Sequence, residues 1–341
     1  MLLVADPGLP SRRALAIHDR VEQLLRDAYG VQTTVNVHTD TIRLTPDHEL
    51  ALNEIDGLRT GYPDADLVLI LTEIPRHTQG NPLIAEVHAD RNIAVVSCPT
   101  LGAWRTKHRI VKAIMSSIDK LVPWNLNESM RAFSLKGTNW TESDDSQHQT
   151  LHAPTLSGGA HLILGMTISN DPWRTAPKLS GALAAASATG AFGIFYSSIW
   201  QMSTYLSTFR LLSIGVTAIF VMMTWLILGH KLWDKPVNEK LAPVVMFYNL
   251  STVLTLLFTV VALYAVLAVL IFLGGLVVID PAFMGQQIQQ KASLTNYLDV
   301  AWLSAAMGVV AGAIGASFDS DLDVQRLTHG QRMRQRLYSE E

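Results

Sequence analysis

His148 and His152 stand four residues apart in a polar stretch, and His77, His88 and His108 form a second set that folding could bring together. Imidazoles are common ligands of zinc and related ions. His148 and His152 have no third ligand nearby, so scattered surface histidines are the expectation and no metal is assigned. Asp6, Asp66, Glu73, Glu86 and Ser97 fall at or near the ends of expected strands, where α/β sheets place ligands. Asp6, Glu73 and Ser97 are therefore the ligand-binding candidates, although the turn signal Asp6-Pro7-Gly8 explains its aspartate equally well. Cys98, the single cysteine, excludes an intrachain disulfide and a cysteine-based zinc site. Its setting, Val95-Val96-Ser97-Cys98-Pro99, reads as a buried strand end. The sequence contains neither Gly-x-x-x-x-Gly-Lys-Ser/Thr nor Gly-x-Ser-x-Gly. No catalytic residue and no cofactor is assigned, and the balance leans away from an enzyme.

The elements that would position these residues form an α/β domain over residues 1–136. Met1–Ala5 reads as a strand, followed by a helix from Arg12 to Tyr29 with Ser11 as cap and Gly30 as terminator. A strand at Val31–Val37 and a helix at Asp47–Leu58 come next. Asp66–Thr72 carries an unbroken apolar run, as a strand buried on both faces does. Leu83–His88 and Ile93–Ser97 flank an Asp90-Arg91-Asn92 turn as a hairpin, and a basic amphipathic helix covers Arg105–Leu121. This order predicts a mixed sheet with helices on it. The polar stretch 137–159 reads as a flexible linker, and the apolar piece 160–175 as an amphipathic anchor in the membrane interface or, alternatively, as a segment packed beneath the bundle.

The order from Leu71-Thr72-Glu73-Ile74-Pro75 through two strands ending Ala94-Val95-Val96-Ser97 to a helix resembles the N-terminal half of metzincin zinc proteases, archaemetzincins in particular. In that family the helix carries His-Glu-x-x-His; here it reads Arg109-Ile110-Val111-Lys112-Ala113-Ile114, so the resemblance implies a fold without the activity. Through Trp173-Arg174, Leu179-Ser180-Gly181-Ala182-Leu183-Ala184 and Ser197-Ser198-Ile199-Trp200, the whole chain resembles a family of actinobacterial four-helix membrane proteins. Some members carry a folate-dehydrogenase name, but no Gly-x-Gly-x-x-Gly follows a strand here.

Composition points the same way. Of 341 residues, 49% are hydrophobic and 16% charged, against about 25% charged in ordinary domains, and the deficit lies in 176–318. Four spans are expected there, at about 180–200, 211–229, 244–274 and 297–318, the third as one long tilted helix. A tail covers 319–341. Lys231, Lys235 and Lys240, and Arg326, Arg332, Arg334 and Arg336, enrich one side, whereas Arg210 and Lys291 stand alone on the other. The rule that basic residues stay inside then makes both termini cytoplasmic in the cell membrane. Met1-Leu2-Leu3-Val4-Ala5-Asp6 reads as no signal peptide. Gly181, Ala185 and Gly193, with Gly308 and Gly312, have the small-residue spacing that lets helices approach closely. They pack span one on span four or, alternatively, form a homo-oligomeric seam.

A net charge of −3 gives no case for nucleic acid. The partners expected are the lipid bilayer, a second copy of the chain or a cytoplasmic protein. The first functional reading is a membrane-anchored cytoplasmic binding, regulatory or scaffold module. An oligomeric transporter or channel is the second. The third is a membrane-tethered degenerate zincin-like hydrolase, which would need a third metal ligand beside two histidines.

Overall fold

The structure is a computed structural model, which describes residues 1–30, 32–43, 50, 52–78, 81–122, 133–135, 137–142, 147–154, 157–170, 172, 180–236 and 242–316. Contacts divide the chain into two units. Of the described residues, Met1–Ser169 and Pro236–Ser251 belong to the first, and Asn170–Lys235 with 252–316 to the second.

The first unit is a mixed sheet with helices. Its strands are β1 (Leu2–Ala5), β2 (Asn36–Thr39), β3 (Val68–Thr72), β4 (Arg76–Thr78), β5 (Asn81–His88), β6 (Ile93–Ser97), β7 (Trp140–Glu142) and β8 (His148–His152). They lie in the order β2-β1-β3-β6-β5-β8-β7, with β4 paired to β5. β2, β1, β3 and β6 run parallel; β5, β8, β7 and β4 add antiparallel pairs. Alternating strand residues point to opposite faces, and the apolar runs divide accordingly. Leu3, Ala5, Leu69, Leu71, Ala94 and Val96 join one core. It is covered by α1 (Leu9–Tyr29) and α3 (Thr106–Leu121). Leu2, Val4, Val68, Ile70, Ile93 and Val95 join the other, against α2 (Leu52–Arg59).

Strand β2 begins at Asn36, later than the Val31–Val37 expected, because its ends are set by registry with Leu2–Ala5. Helix α2 begins at Leu52, and positions 47–49 of the expected helix lie outside the described residues. Gly8, at φ 101°, turns the chain from β1 into α1, a conformation that favours glycine.

Two expectations for the join between the halves are corrected. Within 137–159, β7 and β8 form a hairpin that extends the sheet from β5. The Trp140 indole donates to the Ser116 hydroxyl at 2.9 Å, and Leu151 is buried. An edge hairpin is wetted on one side, so its composition looks like that of a linker. The apolar piece forms α4 (Gly158–Ser169), which buries Leu162 and Met166 and packs on the short turn Pro99–Leu101. Gly165 lies so close to the Pro99 carbonyl that a Cβ there would overlap it. Its apolar residues lie on all sides, Leu162 and Met166 against protein and Leu164 exposed, so it lacks the polar face of an amphipathic anchor.

The second unit holds α5 (Ser180–Phe195), α6 (Ser197–Tyr205), α7 (Thr208–Gly229), most of α8 (Ala242–Val278), α9 (Pro281–Ile288) and α10 (Leu294–Gly315). Among the described residues, three helices are long and apolar enough to cross a membrane: α7, α8 and α10. The first expected span is not one straight helix. α5 and α6 meet at 84°, broken at Tyr196 with extended φ −103° and ψ 108°. The Gly193 carbonyl near the break accepts the Trp200 indole at 2.7 Å. Helix α8 is unbroken over 37 residues, about 55 Å at 1.5 Å per residue. Asp280 caps α9, accepting from the Ala282 and Phe283 amides at 2.9 Å, a turn of helix that the Asp280-Pro281 pair signals.

Helices α5 and α10 touch through backbone. A Cβ on Gly308 would come within 2.5 Å of the Ala186 carbonyl, and one on Gly312 within 2.9 Å of that of Ala182. Gly315 meets Gly181 and Ala185 in the same way, and Gly193 faces Ser304.

Candidate functional site

The parallel strands end together, and they bring Asp6, Glu73 and Ser97 to one edge. Asp6 follows β1; its Oδ2 accepts the Thr72 hydroxyl at 2.7 Å and the Glu73 amide at 2.9 Å, and its Oδ1 accepts the Ile42 amide at 3.0 Å. The Ser97 hydroxyl donates to the Ile74 carbonyl at 2.9 Å and accepts from Thr100 at 3.1 Å. All three residues are buried. A carboxylate whose lone pairs bind two amides and a hydroxyl ties strand ends together. Cys98 is buried beside them, and burial together with Asp6 and Glu73 pushes its thiol up, opposite to a reactive cysteine.

Open chemistry lies on the antiparallel side of the sheet. Glu86 and His88 are two apart on β5 and so share a face. The β5–β8 ladder sets His88 opposite His148 and Glu86 opposite Thr150. The two imidazoles stack with ring centres 4.6 Å apart and planes 15° from parallel. His148 Nε2 stands 3.7 Å from Glu86 Oε2, and His88 Nε2 3.9 Å from Oε1. Arg76, from β4, binds Oε1 at 2.7 Å. The Glu86 side chain is 5% exposed, while His88 and His148 are 22% and 31% exposed. Burial works against the Glu86 charge, but the His148 and His88 rings and the Arg76 guanidinium outweigh it and hold the carboxyl well below the usual range. Three potential ligand atoms, one from each of Glu86, His88 and His148, lie within 4.8 Å of one another, the one such group among the described residues.

The histidine sets suggested by sequence are sorted differently. His148 and His152 share a strand face, but four residues of strand span about 13 Å, too far for one ion. His152 Nε2 lies 3.2 Å from the Thr150 hydroxyl instead. His77 stacks on Phe247 at 5.7 Å, and burial, with Arg76, lowers its pKa to about 4. His108 lines a groove between α1 and α3 with Arg20, Lys107 and Lys112. Sequence reasoning missed the pairing of Glu86 and His88 with His148. A period of two through His148-Gln149-Thr150-Leu151-His152 was the available signal, hidden by the linker composition around it.

Fold and site together define a class: a mixed α/β unit on a chain with, among the described residues, three helices long and apolar enough to span a bilayer. No family profile matches this chain, and no curated protein or solved structure is significantly similar to it.

Proposed function

We propose that this is a multi-pass protein of the cell membrane whose α/β domain is a cytoplasmic binding and regulatory module, with four crossings and both termini cytoplasmic. One observation carries the reading: Pro236–Ser251, the approach to α8 and its first turns, clusters with Met1–Ser169. Phe247 stacks on His77, with planes 13° from parallel, and packs near Gly159. This contact supports a chain that is back on the domain's side of the membrane where α8 begins. On this reading two crossings precede α8: α7 is one, and the bent α5–α6 pair is the other. Lys231, Lys235 and Lys240 in this connection, against Arg210 and Lys291 elsewhere, put the shared side in the cytoplasm.

The same contact supports regulation. Arg76 holds Glu86 in the polar cluster, and its neighbour His77 holds Phe247 at the start of α8. A ligand that moves β4 changes the footing of a membrane helix.

Side-specific labelling of single cysteines in a Cys98→Ser background tests the topology. Exposed positions Asp27→Cys and Lys235→Cys should react from one side, and Arg210→Cys and Lys291→Cys from the other. Labelling of Arg210→Cys from the same side as Asp27→Cys would make α5–α6 re-entrant and sink the four-crossing reading.

A further inference from the structure

We propose that Glu86, His88 and His148 form a binding site for one divalent transition-metal ion, zinc by its donor set. Two imidazoles and a carboxylate suit zinc and its neighbours, whereas calcium and magnesium prefer oxygen throughout. Around a tetrahedral zinc with ligand bonds of about 2.0–2.1 Å, the ligand atoms stand roughly 3.4 Å apart. His148 Nε2 stands 3.7 Å from Glu86 Oε2, and the three ligand atoms all lie within 4.8 Å of one another, so closing on an ion draws them together by at most about 1.4 Å.

The backbone presets this arrangement. Residues 86 and 88 share one face of β5, and the ladder fixes His148 across from His88. Arg76 occupies Oε1 and leaves Oε2, the oxygen towards His148, for an ion. A partner on the second oxygen orients the carboxylate, as outer-shell groups do at metal sites. Both histidines are partly exposed, so an ion can enter and a water can complete the coordination. Two ligands come from β5 and one from β8, so the ion would fasten the β7–β8 hairpin to the sheet. The site does not depend on how many times the chain crosses the membrane.

The full chain in detergent, stripped with a chelator, should be titrated with zinc alone and with cobalt as a visible probe. The expected result is one equivalent per chain, with tetrahedral cobalt absorption that zinc abolishes. His88→Gln and His148→Gln should each weaken zinc binding at least tenfold, and His152→Gln should not. Melting of each metal-free variant, compared with the metal-free wild type, separates lost ligation from lost folding. If a variant does not fold, modification of the wild type by diethyl pyrocarbonate decides. Zinc should shield His88 and His148 but not His152, and equal modification with and without zinc overturns the site. So does a wild type that binds less than stoichiometric zinc, or unchanged affinity in folded His88→Gln and His148→Gln chains.

Discussion

Asp6 and His77 show how burial converts charged or polar side chains into structural parts. Asp6 accepts two amides and a hydroxyl from two segments, at Ile42 and at Thr72-Glu73. Asp6→Ala leaves those donors unpaired and should lower unfolding free energy by about 3 kcal/mol; denaturant titration followed by tryptophan fluorescence measures it. His77 has a folded pKa of about 4 against an ordinary 6.5. A depressed value means that the fold disfavours the charged ring. Its contribution is intact above the ordinary value and is lost as pH falls towards the folded one. Between pH 7 and pH 5 the stability of the wild type relative to His77→Phe should fall by about 2 kcal/mol. An unchanged difference would show that His77 titrates normally. Cys98, buried with its thiol pushed up, should resist iodoacetamide until the domain is unfolded.

Helices meet where side chains shrink. A Cβ on Gly308 lands 2.5 Å from the Ala186 carbonyl of α5, a backbone atom that cannot swing aside. Gly308→Val should lower the melting temperature in detergent, at a cost of about 1–3 kcal/mol. Gly229→Ala is the control, since the nearest atom there is 3.9 Å away. Backbone contact of α5 with α10 gives the small-residue stripe an intramolecular role. On α8, Thr255 and Thr259 are buried, and each hydroxyl has an internal bond: Asn170 donates to Thr255 at 2.7 Å, and Thr259 donates to the Thr255 carbonyl at 2.9 Å. Such threonines serve helix packing in lipid.

Across the molecule, the start of α8 belongs with the α/β domain although the rest of that helix belongs with the membrane unit. His77→Ala removes the stack beneath Phe247. Hydrogen exchange should then rise over 245–251, while β1 and β3, in the centre of the parallel strands, keep their protection. Equal protection in wild type and variant would show that the contact does not anchor the helix.

The strands buried on both faces were legible in the sequence, because Val68–Leu71 and Ile93–Val96 are apolar without interruption and buried on both sides. So were the long apolar helices, whose length and lack of charge answer to a bilayer's thickness, and the strand-end placing of Asp6, Glu73 and Ser97. Hidden were the features that depend on partners distant in sequence. The β7–β8 hairpin is polar, and it exists because β5 offers an edge to pair with. Helix α4 is placed by Pro99 against Gly165, and the break at Tyr196 carries no proline to announce it. Glu86 and His148 are 62 positions apart, and a strand register makes them neighbours, because a ladder fixes side chains across it with no regard for their separation along the chain.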